Sequence, residues 1–250
     1  MDYKKVMTNK LKLALIPARA GSKGIVDKNI VDLDGKPLMN WSIEVALNSK
    51  LFDVVCVSTD SSEIAHIARN AGAEVPFLRP IEISEDKSLQ IDVIKHCLQF
   101  YQNRNLEFNS ITLLQPTSPF RKIEDLASSL ELFSHKNYET LISVKDITEF
   151  ADSACYSSKI DSNVLELSPL RPVSDNEKSG TLRQNFEKKY WRNGSIYIFK
   201  PANILADRKL IKDPIVGFEM PWKRSINIDS HADLETARLL AQQDLREIYG

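Results

Sequence analysis

Cysteine is scarce in this chain. Cys56, Cys97 and Cys155 are widely spaced and form no C-x-x-C arrangement, which argues against a disulfide framework and against a zinc knuckle. Long apolar runs are missing too: no uncharged stretch approaches the ~20 residues of a membrane span. Met1 to Lys12 contains lysines but no apolar signal-peptide core, so a cytoplasmic location is expected. Neither sign of charge is in excess, with 33 Lys and Arg against 34 Asp and Glu and a net charge of −1. That balance offers no general polyanion-binding surface and speaks against nucleic acid as a partner. The four histidines, His66, His96, His135 and His231, lack ligand spacing, and none is assigned a catalytic role.

The two familiar glycine-rich phosphate signatures, G-x-x-x-x-G-K-[ST] and G-x-G-x-x-G, are also absent. In their place residues 13–29 read LALIPARAGSKGIVDKN. Leu13, Leu15 and Ile16 suit a buried first strand, and Gly21 and Gly24 let the following loop bring backbone N–H groups near anionic oxygens. Arg19, Lys23 and Lys28 add three positive charges. A strand feeding a phosphate-binding loop is the reading; the plainer alternative is a charged surface turn.

The 250 residues, 42% hydrophobic and 27% charged, suffice for one large α/β domain carrying a smaller one. Asp34-Gly35-Lys36-Pro37 reads as a turn into a helix with Pro37 at its first position and Leu38, Trp41, Ser42 and Val45 facing inward. Residues 53–58, DVVCVS, form a strand buried on both sides, and a helix follows through Ile64 and Ala68 to Gly72. Glu74 to Phe77 is expected as a short strand, residues 88–102 as a helix with Ile91, Ile94, Lys95 and Leu98 on one face, and Ile111 to Gln115 as the next strand. This alternation implies βαβ units and a doubly wound, mostly parallel sheet. Ligands of such sheets bind beyond the carboxyl ends of the strands, where the polar loops at Arg19–Asn29, Thr59–Ser61 and Gln115–Arg121 would meet.

From about residue 142 to 193 the βα rhythm lapses before returning at Ser195–Phe199. We read this segment as an inserted subdomain of extended arms, with residues 1–141 and 194–250 forming the catalytic α/β domain. A plain surface excursion of that length would be unusual in a compact domain. The chain closes with Ser225-Ile-Asn-Ile-Asp229 and a helix through Leu234, Ala237, Leu240 and Ala241.

The run from Pro17 to Gly24 with Lys28-Asn29 resembles the opening signature of the acylneuraminate cytidylyltransferases, the CMP-nonulosonic acid synthetases that include the CMP-sialic and CMP-legionaminic acid enzymes. The resemblance extends from Leu13 to about Leu240 through four ordered motifs. It implies a nucleotide-diphospho-sugar transferase-like Rossmann-type fold. It also implies a cytidylyltransferase that joins CMP from CTP to the anomeric hydroxyl of an acidic nine-carbon sugar and releases pyrophosphate.

By position it makes Arg19, Ser22, Lys23, Lys28 and Asn29 triphosphate ligands, and Arg79 and Ser88 contacts to the cytosine. Gln115 and Tyr197 fall to the sugar, Arg183 to its carboxylate, and Lys159 is a candidate sugar-binding lysine. Asp229 becomes the metal ligand for Mg2+ or Mn2+, with Arg19, Lys28 and Asp229 as the catalytic set; the alternative for Asp229 is a surface residue capping the final helix. The insert implies a homodimer. Such a transfer needs cations around the triphosphate, a divalent metal and an aligned hydroxyl rather than a protein nucleophile.

Three departures from the family pattern matter. Asn227 replaces the first aspartate of the usual I-D-I-D run, Gln90 stands where a small hydroxyl residue is common, and Trp191 occupies the place of a second arginine, with Arg192 next to it. Those near the sugar point to a substrate other than ordinary N-acetylneuraminate, such as a legionaminic acid. The competing expectations are a cytidylyltransferase for a Kdo-type octulosonate and a non-catalytic CTP-binding module of the same fold.

Overall fold

The computed structural model describes residues 11–147, 156–161, 164–169, 189–206 and 208–248. Its centre is a six-stranded sheet in the order β10-β6-β9-β5-β1-β4. These strands are β1 (Leu11–Pro17), β4 (Val54–Ser58), β5 (Phe108–Leu114), β6 (Thr140–Asp146), β9 (Tyr190–Phe199) and β10 (Ile215–Glu219). β1 pairs in parallel with both β4 and β5, and β10 with β6, whereas β9 runs antiparallel to β5. The sheet is thus mixed but mostly parallel. Among the described residues no helix is long and apolar enough to cross a membrane.

Alternation along the strands builds two cores, as a period of two requires. Ala14, Ile16, Val55, Val57, Leu114, Ile196 and Ile198 face one side, where they meet helices α1 (Leu38–Ser49), α2 (Ser62–Asn70) and α4 (Ile123–His135). Leu13, Leu15, Cys56, Ile111, Leu113 and Phe199 face the other, against α3 (Gln90–Gln102) and the short α5 (Pro201–Leu205). A third cluster joins Ile25, Leu33, Trp41, Phe120 and Ile228 to Leu234, Ala237 and Ala241 of the last helix, α6 (His231–Ile248). It fastens the loop after β1 to the end of the chain.

The small hairpin of β2 (Asp32–Leu33) and β3 (Lys36–Pro37) turns through Asp34 and Gly35, both at positive φ, as a two-residue hairpin turn demands. Pro37 is therefore the residue before α1 rather than its first residue. The inward face of α1 contains the four expected positions and also Met39, Ile43 and Ala46. On α3 the buried face is Val93, Ile94, Cys97, Leu98 and Tyr101, so Lys95 lies beside it and not within it.

The strand expected at Glu74–Phe77 shrinks to a single parallel bridge between Glu74 and Cys56. Glu74 N–H donates to the Val55 carbonyl and its own carbonyl accepts from Val57 N–H. The next donor in a parallel ladder would be residue 76, which is proline, and the ladder stops there.

By contact density the chain separates into Met1–Val144 with Asn193–Gly250 as one unit, and Lys145–Arg192 as another. In the second unit, β7 (Tyr156–Asp161) and β8 (Val164–Pro169) form an antiparallel pair.

Candidate active site

Because β1, β4 and β5 are parallel, Pro17, Ser58 and Leu114 end at one edge of the sheet. The loops that leave those ends surround a cavity of about 520 Å³, within the range of small-molecule sites. Ten residues singled out from the sequence line it: Arg19, Ser22, Lys23, Lys28, Asn29, Arg79, Ser88, Gln115, Asn227 and Asp229. Four of these are cations, and Asp229 is the one carboxylate among the described lining residues. The net field favours a polyanion.

The first wall is the loop after β1. Buried Asn29 donates from Nδ2 to the Arg19 carbonyl at 2.8 Å, and Ala20 N–H donates to Asp60 Oδ1 at 2.9 Å. Gly24 is obligatory for a different reason: a Cβ there would lie 2.5 Å from the backbone oxygen of Asp229. The loop and the Asp229 segment approach as closely as two backbones can.

The last segment is anchored from three directions. Ile228 N–H donates to the Thr117 carbonyl at 2.8 Å, and Lys28 Nζ donates to Asp229 Oδ1 at 3.0 Å and to the Ile228 carbonyl at 3.2 Å. Asp233 accepts from the backbone N–H groups of Asp229 and Ser230 and from the Ser230 hydroxyl, while Ser230 Oγ accepts from Asp233 N–H. This reciprocal pair caps α6. Partial burial pushes the Asp233 carboxyl up, but its hydrogen bonds from Ser230 and from the two backbone N–H groups prevail and leave it below the ordinary carboxylate value. Ser230 and Asp233 thus do the capping, and the Asp229 carboxylate faces Lys28.

On the opposite wall Arg79 is buried, with Nε and Nη2 lacking hydrogen-bond partners and Asp60 3.8 Å away. Burial lowers its pKa, offset in part by Asp60 and reinforced by Arg19; the guanidinium stays charged. Unpartnered donors on a buried cation are costly. An acceptor-bearing ligand would satisfy them.

Beneath the cavity lies a residue whose role the sequence did not disclose. Arg121 is wholly buried, with Nη2 donating to the Gln115 carbonyl at 2.6 Å, Nη1 to Ser42 Oγ at 2.6 Å and Nε to Ser195 Oγ at 3.2 Å. It joins the end of β5 to α1 and β9. This also explains why Ser42 belongs to the inward face of an otherwise apolar helix. Next to it Gly194, at φ +78°, leaves room for Gln115, Asn227 and Ser118: a Cβ would meet Gln115 Oε1 at 3.0 Å and Asn227 Oδ1 at 3.4 Å. Asp86, also missed, ties Arg19 and Lys23 together.

Tyr197 does not line the cavity. It pairs with Leu113 in β9, two residues below Gln115, and stacks with Phe199 on the side of the sheet that α3 covers. The period of two sends its ring away from the edge. Arg183 lies outside the described residues, as does the side chain of Lys159, whose backbone pairs with Glu166 in the β7–β8 ladder.

For a divalent metal the site offers the Asp229 carboxylate and the Asn227 side-chain carbonyl, although Asn227 Nδ2 donates to Asp229 Oδ2. No group of three His, Cys, Asp or Glu is found among the described residues. A single carboxylate beside a cationic pocket fits magnesium, which keeps several waters and can take its remaining ligands from phosphates of a bound substrate.

Comparison with known proteins agrees with this geometry. A family model described as cytidylyltransferase matches residues 13–248. The N-acylneuraminate cytidylyltransferase of Escherichia coli O18:K1:H7 is 31% identical over 243 residues, 94% of this chain and 53% of that protein. This chain therefore spans about half the length of that relative. The CMP-N,N'-diacetyllegionaminic acid synthase of Legionella pneumophila is 35% identical over 223 residues, covering 88% of this chain and 92% of its own. Among solved structures, a CMP:2-keto-3-deoxy-manno-octonic acid synthetase complexed with CTP superposes with a TM-score of 0.67 at 18% identity, over 94% of this chain and 100% of that one. At that identity the match speaks for the fold.

Proposed function

We propose, from the premise that this chain belongs to the cytidylyltransferase family, that it transfers CMP from CTP to the anomeric hydroxyl of a nine-carbon 2-keto acid sugar and releases pyrophosphate. The observation that carries the reading is the meeting of Arg19, Lys23, Lys28 and Arg79 with Asp229 and Gln115 in one cavity at the carboxyl edge of the sheet. That set can hold a triphosphate at one end and a polar, non-phosphorylated partner at the other.

In this reading Arg19, Lys23 and Lys28 bind the triphosphate, with Ser22 and Asn29 shaping the loop. Arg79, whose Nε and Nη2 lack hydrogen-bond partners, takes an acceptor of the nucleotide. Ser88 completes that wall. Gln115, held through its carbonyl by Arg121, presents its amide to the sugar. The sugar hydroxyl attacks the α-phosphorus, its O–P bond forms as the bond to the β-phosphate breaks, and the proton passes to solvent. The residues contribute position and fixed charge, which suffices where the leaving group is a pyrophosphate. Asp229 would hold magnesium or manganese, which neutralises charge growing on the α-phosphate and the leaving group when bound.

The substrate panel that tests this contains N-acetylneuraminic, N,N'-diacetyllegionaminic and octulosonic acids, each with CTP and magnesium, assayed by pyrophosphate release. A legionaminic-type acid is expected to be preferred, in line with the 35% identical Legionella relative and the departure at Trp191. Release only with the octulosonate would favour the Kdo-type alternative. CTP binding without turnover across the panel would make the chain a nucleotide-binding module. The segment from 142 to 193 is proposed to mediate a homodimer, for which light scattering should give twice the 28.4 kDa chain mass. A cytoplasmic setting belongs to the same reading.

A further inference from the structure

The side chains of Arg19 and Lys23, two of the proposed phosphate ligands, are engaged by one carboxylate. Arg19 Nη2 lies 2.5 Å from Asp86 Oδ1 and Lys23 Nζ 2.6 Å from Asp86 Oδ2. The two carboxylate oxygens are thus shared between two cations, much as two oxygens of a phosphate would be. Asp86 itself does not line the cavity, whereas both cations do. It belongs to the loop that carries Arg79 and Ser88, and local bonds fix it there: Ser84 Oγ donates to the Pro80 carbonyl, Ser88 Oγ to the Glu82 carbonyl, and Ser88 N–H to the Glu85 carbonyl. The carboxylate is held out to the cations by its own loop.

We infer that Asp86 is an internal counter-anion that pairs with Arg19 and Lys23, is exchanged for phosphate oxygens when the nucleotide enters, and reclaims the cations as pyrophosphate leaves. This rests on the phosphate role given to Arg19 and Lys23 above. Hydrogen bonds from Lys23 and Arg19 hold the Asp86 carboxyl below the usual carboxylate value, so it stays ionised throughout the neutral range. The Asp86 side chain is one-third exposed and that of Lys23 79% exposed, so the pairs are screened and readily exchanged. A weak ligand with one phosphate competes poorly against Asp86, whereas a polyphosphate supplies enough oxygens to displace it. Asp86 is therefore a specificity-determining residue acting through the two cations, and it favours release of pyrophosphate.

Calorimetric titration of inorganic pyrophosphate, alone and without sugar, distinguishes this from a structural role. Asp86→Asn is expected to bind pyrophosphate roughly fivefold or more tightly than the unaltered chain, since an added exchange cost and a like charge are removed. Asp86→Glu should return to the original affinity, and the apparent KM for CTP should fall in parallel in Asp86→Asn. Asp86→Ser serves if the asparagine variant does not fold. A loop that merely needed Asp86 for its shape would bind pyrophosphate more weakly on substitution. Equal or weaker binding, or no binding by any of these proteins, overturns the inference. Pyrophosphate release from CTP is scored separately, so failure of the transfer reaction with every sugar would be seen independently of the anion exchange.

Discussion

Lys28 and Asp229 are 201 residues apart in sequence and joined by a 3.0 Å ion pair, with the Lys28 side chain 15% exposed and that of Asp229 65% exposed. The lysine also holds the Ile228 carbonyl, so the loop after β1 and the segment before α6 are fixed to each other at the place where the transferred phosphate is proposed to lie. Substitution of Asp229 by alanine is expected to lower turnover about 100-fold or more, because an electrostatic group in a preorganised site is removed. Asn227→Asp should leave turnover equal or raise it, by restoring a second carboxylate toward the metal. Pyrophosphate release at saturating CTP and magnesium measures both, and near-normal activity in Asp229→Ala would remove Asp229 from the mechanism. Chelation of divalent ions should abolish release, with magnesium restoring it.

Gly24→Ala is a steric test of the same junction. The added methyl would sit 2.5 Å from a backbone oxygen of Asp229, which cannot rotate away as a side chain would. The loop and the Asp229 segment must separate, so turnover should fall at least as far as in Lys28→Met. Gly21→Ala meets no atom within 4 Å, but at φ +63° it is strained, at a cost of about 1 kcal/mol. Comparing the two variants by denaturant melting and by turnover separates crowding from backbone strain.

Arg121→Met removes a buried guanidinium, leaves the Ser42 and Ser195 hydroxyls without that donor, and takes one donor from the Gln115 carbonyl, which keeps Ser118 N–H at 3.2 Å. Orphaning a buried acceptor costs about 1–3 kcal/mol, so with two hydroxyls affected a loss of about 2 kcal/mol or more in unfolding free energy is expected from urea titration. Arg121→Lys should recover part of this, because an ammonium cannot reach three acceptors in a planar fork.

Cys56 and Cys97 face each other across β4 and α3 with their sulfurs 3.9 Å apart, both buried. The hydrogen bond to Cys56, together with burial, pushes the Cys97 thiol well above its ordinary value. In the unfolded chain a thiol ionises near pH 8.5, while the folded one keeps its proton. Above that pH the unfolded state binds fewer protons, so stability falls as pH rises. The urea midpoint should therefore drop between about pH 8 and pH 10, and drop less in Cys97→Ala. Peptide mapping after mild alkylation should find Cys56 and Cys97 unmodified until the chain is unfolded.

The parts of this molecule that the sequence revealed are those encoded locally. The apolar run of β1, the small and cationic residues that follow it, and the polar ends of β4 and β5 announced an edge-of-sheet site, because parallel βαβ order alone places such loops together. Contacts set by the third dimension were hidden. Arg121 looked like the end of a turn motif, since nothing in its neighbours shows that α1 and β9 supply hydroxyls to it. Tyr197 was assigned to the sugar through the family resemblance, yet strand alternation turns it to the face that α3 covers. Pro76 could have warned that the strand after Gly72 would end at once. Asp86 gave no signal in advance, for its partners lie 67 and 63 residues away in sequence.

The antiparallel course of β9 has a topological consequence. Its first residues return to the edge where β5 ends, and Asn193 there accepts a 2.5 Å hydrogen bond from Ser143 at the middle of β6. Ser143 Oγ in turn accepts from Ile196 N–H. The chain thus leaves the sheet and re-enters it through one doorway, whose two posts are hydrogen-bonded to each other. Val144, one residue past Ser143, pairs with Glu219 and its carbonyl accepts from Met220 N–H, so the ladder of the first unit is complete before the second unit begins. The first unit is thus a frame closed by its own hydrogen bonds at the place where the chain passes into the second.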